Sequence, residues 1–557
     1  MNSKEMVSRK FFSITQGLLL LAVSIGFISG AGAAKKYIVT FNSPLTFQAL
    51  KQAHRGEAIQ SKAFQMFTNS GAKVEQVLDH IQMVVVEAEG TLEGLKGQYG
   101  IEGIEEEVII PAPQPVSMPI GPSGPPPVQE KVEMPWGIEA IRAPEAWVIS
   151  QKGQGTRVLV LDTGIDKDHP NLVSRFEKAR NFALEDLNAP YPYFDGISHG
   201  THVAGTIAAD GVGSGLYGVA PRAKILAGRV CSSLGCTSVA ITGGLDWAIQ
   251  EKVDAVNMSL GSAFSSSAIA QAIRTVTSAG IVVVAASGNS GTSNVSYPAA
   301  YSSTIAVGAV NEKLTKTEFS QWGPELDIMA PGDSITSSVP QGSGRAITVA
   351  FDIDGDGNDW IPVKSLPVVG SAVDDHPVVG ETVFCQLGKP EHFTNIDVKD
   401  KIALIQRGEI FFSDKIKNAI DAGAKGVILY NNEPGLVAAS LSKEVNVPVA
   451  FIAQDVGEEM VAKPKVVARI FSRTSDFQKM SGTSMAAPHL TGVVALIKSV
   501  NPNLDPAQIK DLIKSTAHKQ SPNDENQYGA GLVDSFKAVK KAIKMNTPLL
   551  AATGTDN

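Results

Sequence analysis

The run Arg157-Val158-Leu159-Val160-Leu161-Asp162-Thr163-Gly164 decides the fold. Four apolar residues in a row, with no polar alternation, read as a strand covered on both faces, not as a surface strand. The same texture returns at Ile281-Val-Val-Val-Ala285 and Thr304-Ile-Ala-Val307, with a helical run at 201–209 between. Continuous apolar strands separated by helices predict an α/β fold, a doubly wound parallel sheet with helices on both faces. Asp162 stands just past the C-terminal end of its strand, at the crevice where such sheets place their sites.

Working outward, a chain of 557 residues is too long for one core. Toward the N-terminus, residues 36–41 read as a strand, 45–67 as a polar helical stretch and 73–88 as paired strands. A helix near 91–98 and a strand around 107–110 complete an α+β unit at 34–111. Residues 112–133 are too proline-rich to pack and read as an extended linker. The parallel-sheet texture occupies 134–341 and resumes at 475–545, leaving a short tail at 546–557. Between these halves, residues 342–474 carry their own strands, 401–405 and 426–430, with a helix at 413–424, and are expected to form an inserted domain.

Hydrophobic content of 43% with 19% charged residues fits a globular chain and excludes a disordered one. The net charge of -8, without a basic stripe, argues against nucleic acid as a partner. Lys4, Arg9 and Lys10 precede an apolar run around Leu18–Val23 and small residues ending in Ala31-Gly32-Ala33, the layout of a cleaved secretory signal at 1–33. No later segment is long and apolar enough to span a bilayer. Export puts the cysteines in an oxidising compartment, where Cys231 and Cys236, flanking Ser-Ser-Leu-Gly, are expected to close a local disulfide. Cys385 is left over as a buried thiol, and no zinc ligand set is present in the sequence.

Two further motifs carry chemistry. His199, in Ser198-His199-Gly200-Thr201-His202, opens an apolar helical run, and Ser484, in Gly482-Thr483-Ser484-Met485-Ala486, opens another, with Pro488 expected in its first turn. Each alone has an ordinary structural reading: a turn acid, a core histidine, a helix cap. Together, Asp162-Thr-Gly, His199-Gly-Thr-His and Gly482-Thr-Ser-Met-Ala-Ala-Pro488 resemble the subtilisin-like serine protease family in its order Asp, His, Ser. Gly218–Ala223, Phe319–Gly332 and Gly529–Asp534 extend the resemblance.

The resemblance implies a catalytic triad of Asp162, His199 and Ser484 working through an acyl-enzyme, with Asn289 as oxyanion donor. It implies that a peptide substrate adds as a strand along Ser259-Leu260-Gly261. It also implies a primary pocket lined by Ala286, Ser287, Gly288 and Ser296, uncharged and suited to apolar or aromatic side chains. Residues 34–111 resemble an inhibitor-like propeptide, to be autocleaved between Ile110 and Met134. The insertion resembles a protease-associated domain in Ile396–Gly408 and Lys415–Asn431. The expected protein is thus a secreted, extracellular serine endopeptidase, made as a zymogen. Its partners are protein or peptide substrates and its own propeptide, and it is expected to be monomeric. The other reading is a catalytically silent binding or adhesion protein on the same fold. No cofactor is needed for the chemistry. A structural calcium is the one metal left open, at Asp352, Asp354 and Asp356, where Val363 breaks the EF-hand pattern, or at Asn171, where Gly211-Val212-Gly213 offers no side-chain oxygen.

Overall fold

The computed structural model describes residues 34–546 apart from 58–60, 114–133, 184–185, 187–188, 375, 437–438, 442–443 and 522–523. The expected signal, most of the linker and the tail beyond Asn546 lie outside the described residues.

Seven strands make one sheet: β1 (Arg157–Asp162), β2 (Phe176–Asn181), β3 (Lys224–Arg229), β4 (Ala255–Met258), β5 (Val282–Ala286), β6 (Ile305–Val310) and β7 (Ile328–Pro331). Their order is β7-β6-β5-β4-β1-β3-β2 and every pairing is parallel. The chain builds β3 and β2 on one side of β1 and the remaining strands on the other, so its winding reverses beside β1 and opens a crevice past that strand's C-terminal end. Val158 to Leu161 are all buried, as the unbroken apolar run requires. Helices α1 (His199–Ala208), α2 (Ser238–Glu251), α3 (Ser267–Ser278) and α4 (Thr483–Val500) cover the faces. α4 is buried at every position from Thr483 to Lys498 and packs on α1, β4, β5 and β6. A helix apolar all round has nowhere stable to go but the core.

The N-terminal unit is a four-stranded antiparallel sheet over two helices. Three expectations need correction there. The stretch 45–67 is two helices, Pro44–His54 and Lys62–Asn69, the first ending ahead of Gly56 at φ 75. The helix near 91–98 is only a turn at Glu93–Leu95, because Gly97 and Gly100 take positive φ and break it. The last full strand is Ile101–Glu106, while Ile109–Ile110 leaves the unit and pairs elsewhere.

The insertion rises on an antiparallel ribbon, Ile335–Ser338 against Phe477–Met480, continued by Gly344–Asp352 against Val467–Ser475. The last two strands belong to a nine-stranded sheet, which packs with helices Phe412–Asp421 and Gln454–Val461. No helix among the described residues is long and apolar enough to cross a membrane.

Three histidines outside the crevice are fully buried. His169 Nε2 meets the Asp476 carbonyl at 3.0 Å, and His202 Nε2 meets those of Ile335 and Gln478 at 2.9 and 3.1 Å, so both lie against the root of the insertion. His489 Nδ1 meets its own helix at the Met485 carbonyl, 2.8 Å away. Burial pushes His202 down to about 3 and His489 down to about 4. Both are therefore neutral when folded and take up a proton on unfolding below about pH 6.5. Where the unfolded state binds more protons, stability rises with pH. Stability is then complete above that value and falls as pH drops toward 4, by about 1.4 kcal/mol per pH unit for each histidine. Calorimetry at pH 7.5, 5.5 and 4.5 should show a smaller acid loss of Tm for His489→Gln than for the parent. Equal losses would refute this origin of the acid sensitivity.

Candidate active site

β1 delivers Asp162 to the crevice, and α1 begins there with His199. Asp162 Oδ1 accepts from His199 Nδ1 at 2.7 Å and from the Thr163 N–H at 2.8 Å, and both side chains are buried. His199 Nε2 has no hydrogen-bond partner among the described residues. The approach of α1 to the end of β1 depends on Gly200. A Cβ there would lie 2.1 Å from the Gly164 carbonyl oxygen.

The start of α1 is fixed by a residue that the sequence reading missed. Asp195, a buried residue, accepts from Thr163 Oγ1 (2.8 Å), the Ile197 (3.2 Å), Ser198 (2.9 Å) and Thr201 (2.9 Å) N–H groups, and Thr201 Oγ1 (2.5 Å). Thr163 Oγ1 in turn accepts from the Gly200 N–H at 2.9 Å. Asp195 thereby joins the loop after β1 to the helix that carries His199. Burial pushes its carboxyl up, against the pull of the Thr201 and Thr163 donors. Ser198 holds the N-cap position and Asp195 lies three residues before it, outside the local capping pattern, so no sequence signal marked it.

Ser484 is the second residue of α4. Its Oγ donates to the Ser259 carbonyl at 3.3 Å, and Ser259 Oγ donates back to the Ser484 carbonyl at 2.8 Å. The second bond has a local reason. Pro488 is the sixth residue of α4, past the first turn where it was expected, and lacks the N–H that would bond the Ser484 carbonyl. Ser259 Oγ supplies the missing donor. It is held by Asn257 Nδ2 at 2.9 Å, and Asn257 Oδ1 accepts from Thr491 Oγ1 at 2.8 Å. A buried polar chain thus ties β4 to α4 beneath Ser484.

Asn289 is oriented by the residue before Ser484. Its Oδ1 accepts from the Thr483 N–H at 2.8 Å and Thr483 Oγ1 at 2.9 Å, which assigns the amide and leaves Nδ2 as a donor beside Gly482. Ala286 ends β5, and the Ser287 carbonyl accepts from the Ser296 N–H at 2.9 Å. Gly288 and Gly261 both abut Ser296. Gln321, absent from the sequence reading, lies behind them. Its Oε1 accepts from Ser296 Oγ at 3.2 Å and occupies the space a Cβ at Gly288 would need.

The chain's own residues 108–110 run past this site. Ile109 and Ile110 pair antiparallel with Thr237 and Cys236, and the Val108 carbonyl accepts from the Ser238 N–H at 2.8 Å. On the other side stands Ser259-Leu260-Gly261, and between them lies a cavity of about 350 Å³ lined by Ile110, Leu260, Phe264, Ile269 and Tyr301. The cleft therefore has two edges, of which sequence supplied one. Glu105 anchors this segment by accepting from the Ser267 and Ala268 N–H groups at 2.7 and 3.3 Å at the start of α3, where carboxylate meets the positive end of the helix dipole.

The two metal expectations separate. Asn171 spends its amide on the loop after α1, donating to the Val212 carbonyl at 2.9 Å and accepting from Ser214 Oγ at 3.0 Å. Direct hydrogen bonds close that loop, and the residues present do not fit a calcium site. Asp352, Asp354 and Asp356 bring carboxylate oxygens within 4.8 Å of one another, although Asp352 already accepts from the Gly355 and Gly357 N–H groups at 2.9 and 2.7 Å.

Ser259→Ala should leave the Ser484 carbonyl buried without a partner, at a cost of about 1–3 kcal/mol. Urea unfolding should register the loss as a lower midpoint with an unchanged slope, and an unchanged midpoint would remove Ser259 from this role.

Comparison with known proteins accords with this geometry. The profile of the subtilase family matches residues 153–353 and 436–531, and that of the PA domain matches residues 367–460. Subtilisin E of Bacillus subtilis (strain 168) is 36% identical over 354 residues, covering 62% of this chain and 84% of its own. An alkaline protease of Alkalihalobacillus alcalophilus is 34% identical over 340 residues, covering 59% of this chain and 81% of its own. Among solved structures, the psychrophilic subtilisin-like protease Apa1 from the Antarctic psychrotroph Pseudoalteromonas sp. AS-11 superposes with a TM-score of 0.57 at 27% identity, covering 74% of this chain and 99% of that one. The chain belongs to the subtilase family of serine endopeptidases and carries a PA domain as an insertion.

Proposed function

We propose that Ser484, His199 and Asp162 form the triad of an exported endopeptidase made as an autoprocessed zymogen. The observation that carries the reading is the buried 2.7 Å contact of His199 Nδ1 with Asp162, which leaves Nε2 for a proton. Ser484 Oγ turns from the Ser259 carbonyl to His199 Nε2 and attacks the substrate carbonyl as its proton passes to the imidazole. Asp162 holds the tautomer and stabilises the imidazolium. The oxyanion takes hydrogen bonds from Asn289 Nδ2 and the Ser484 N–H, at the positive end of α4. The leaving amine recovers the proton from His199, and water then hydrolyses the acyl-enzyme by the same route.

The substrate lies as a strand between residues 235–237 and 259–261, the course taken by the chain's own residues 108–110. The pairing of residues 109–110 with this edge, with Pro113 also buried, supports cutting of the bond to the N-terminal unit between Ile110 and Met134. Ser296 and Gln321 make the base of the primary pocket polar and uncharged. Export rests on the apolar run near the N-terminus and on the Cys231–Cys236 disulfide. The PA domain screens protein substrates, a role supported by its root, since Phe477–Met480 leads directly into Gly482 and Ser484.

Purified protein incubated with a denatured protein mixture should degrade it, and a serine-directed covalent inhibitor should stop this. Absence of inhibitor-sensitive cleavage would favour a silent binding protein. Ser484→Ala should retain the N-terminal unit, detected as the uncut chain by mass spectrometry, and release of the unit from that variant would exclude autoprocessing. Asn289→Ala should lower kcat roughly 100- to 1000-fold with KM nearly unchanged, a magnitude taken from subtilisin itself. An equal rise in KM would instead place Asn289 in ground-state binding.

A further inference from the structure

Cys231 and Cys236 are joined by a disulfide in the hairpin 231–237, whose strands are only Cys231–Ser232 and Gly235–Thr237. A pair of strands this short is marginal by itself. The two cysteines face each other in register, so the covalent bond does what further strand pairing would otherwise do. The opposite edge of the hairpin is the one that receives residues 109–110, with Cys236 opposite Ile110. Cys236 Sγ lies 3.9 Å from the Pro111 carbonyl oxygen, and both cysteines are fully buried. A Cβ at Gly235 would fall 2.5 Å from Ile109 Cγ2 and 2.7 Å from the Ile110 carbonyl oxygen. The hairpin springs from the end of β3, where the Val230 N–H donates to the Asp162 carbonyl at 2.9 Å, and it runs into α2 through the cap Thr237.

We propose that the Cys231–Cys236 disulfide is a positioning device for the substrate, holding the hairpin as a rigid edge to which residues on the amino side of the scissile bond add as a strand. This deepens the reading of the cleft given above and rests on it. A peptide that binds a preformed edge does not bear the entropy of ordering it. The tether lies against the strand that binds, and among the described residues no hydrogen bond joins it to the side chain of Asp162, His199 or Ser484. Its loss therefore weakens binding of extended substrates and spares the chemical steps. The bound strand also covers the disulfide, so occupancy of the cleft shields it. Reduction by a dithiol such as dithiothreitol transfers two electrons and two protons, opening the S–S bond to two thiols while the reagent closes to its cyclic disulfide.

The test uses the mature enzyme and three probes: a tetrapeptide anilide, a single-residue ester and a fluorophosphonate that labels Ser484. Opening the tether, by reduction verified through thiol titration or by the double variant Cys231→Ser/Cys236→Ser, should raise KM for the tetrapeptide about tenfold, with kcat held within about twofold. Ester turnover and the labelling rate should not change, and added N-terminal unit should slow reduction of the disulfide. An unchanged tetrapeptide KM, or parallel losses with all three probes, would overturn the proposal. Where the double variant fails to fold, reduction of the folded enzyme gives the same reading. Labelling of Ser484 in the oxidised enzyme reports on the active site alone, so a failure of the tether shows only in KM.

Discussion

α4 must be buried on every side. An apolar helix without a polar face can sit only in the core, between sheet and outer helices, and this fixes where its two ends emerge. Its N-terminus comes out at the C-terminal edge of the parallel sheet, in the crevice where β1 ends on Asp162 and α1 begins on His199. Packing thus brings Ser484 to that crevice. The same burial makes any defect in α4 expensive, and Pro488 is such a defect. The Thr491, Asn257 and Ser259 chain repairs it by providing the Ser484 carbonyl with a donor.

Residues around the crevice do two kinds of work. Asp162, Thr483 and Ser259 touch the groups proposed to react or to donate, whereas Asp195 and Gln321 act through others. Asp195 sets the first turn of α1, Ser259 the first turn of α4, and Gln321 the floor behind Gly288. The cleft is built in a similar way, since neither edge is part of the central sheet. One is the loop after β4, and the other is a short hairpin closed by its disulfide.

The insertion enters at a sensitive place. Its root ribbon is held by His169 and His202, and His202 belongs to the same helix as His199. The strand Phe477–Met480 of the root runs on into Gly482 and Ser484. The PA domain is therefore joined to the catalytic unit through a ribbon hydrogen-bonded to the helix of His199 and continuous with the helix of Ser484.

The sequence by itself determined three of the seven strands of the sheet, the helices that carry His199 and Ser484, and the residues at the crevice. Short unbroken apolar runs rich in β-branched residues read as buried strands, and Asp162, His199 and Ser484 each mark the boundary of an element. It misplaced elements where glycines decided, as at 91–98, and where a short strand chose a distant partner, as at 109–110. The tertiary structure alone decided the second edge of the cleft, the donor for the Ser484 carbonyl and the clamp at Asp195. Each of these joins side chains or strands more than thirty residues apart, or repairs a backbone defect from another element. Periodicity reports which face of an element is buried, and only the packed chain shows what meets that face.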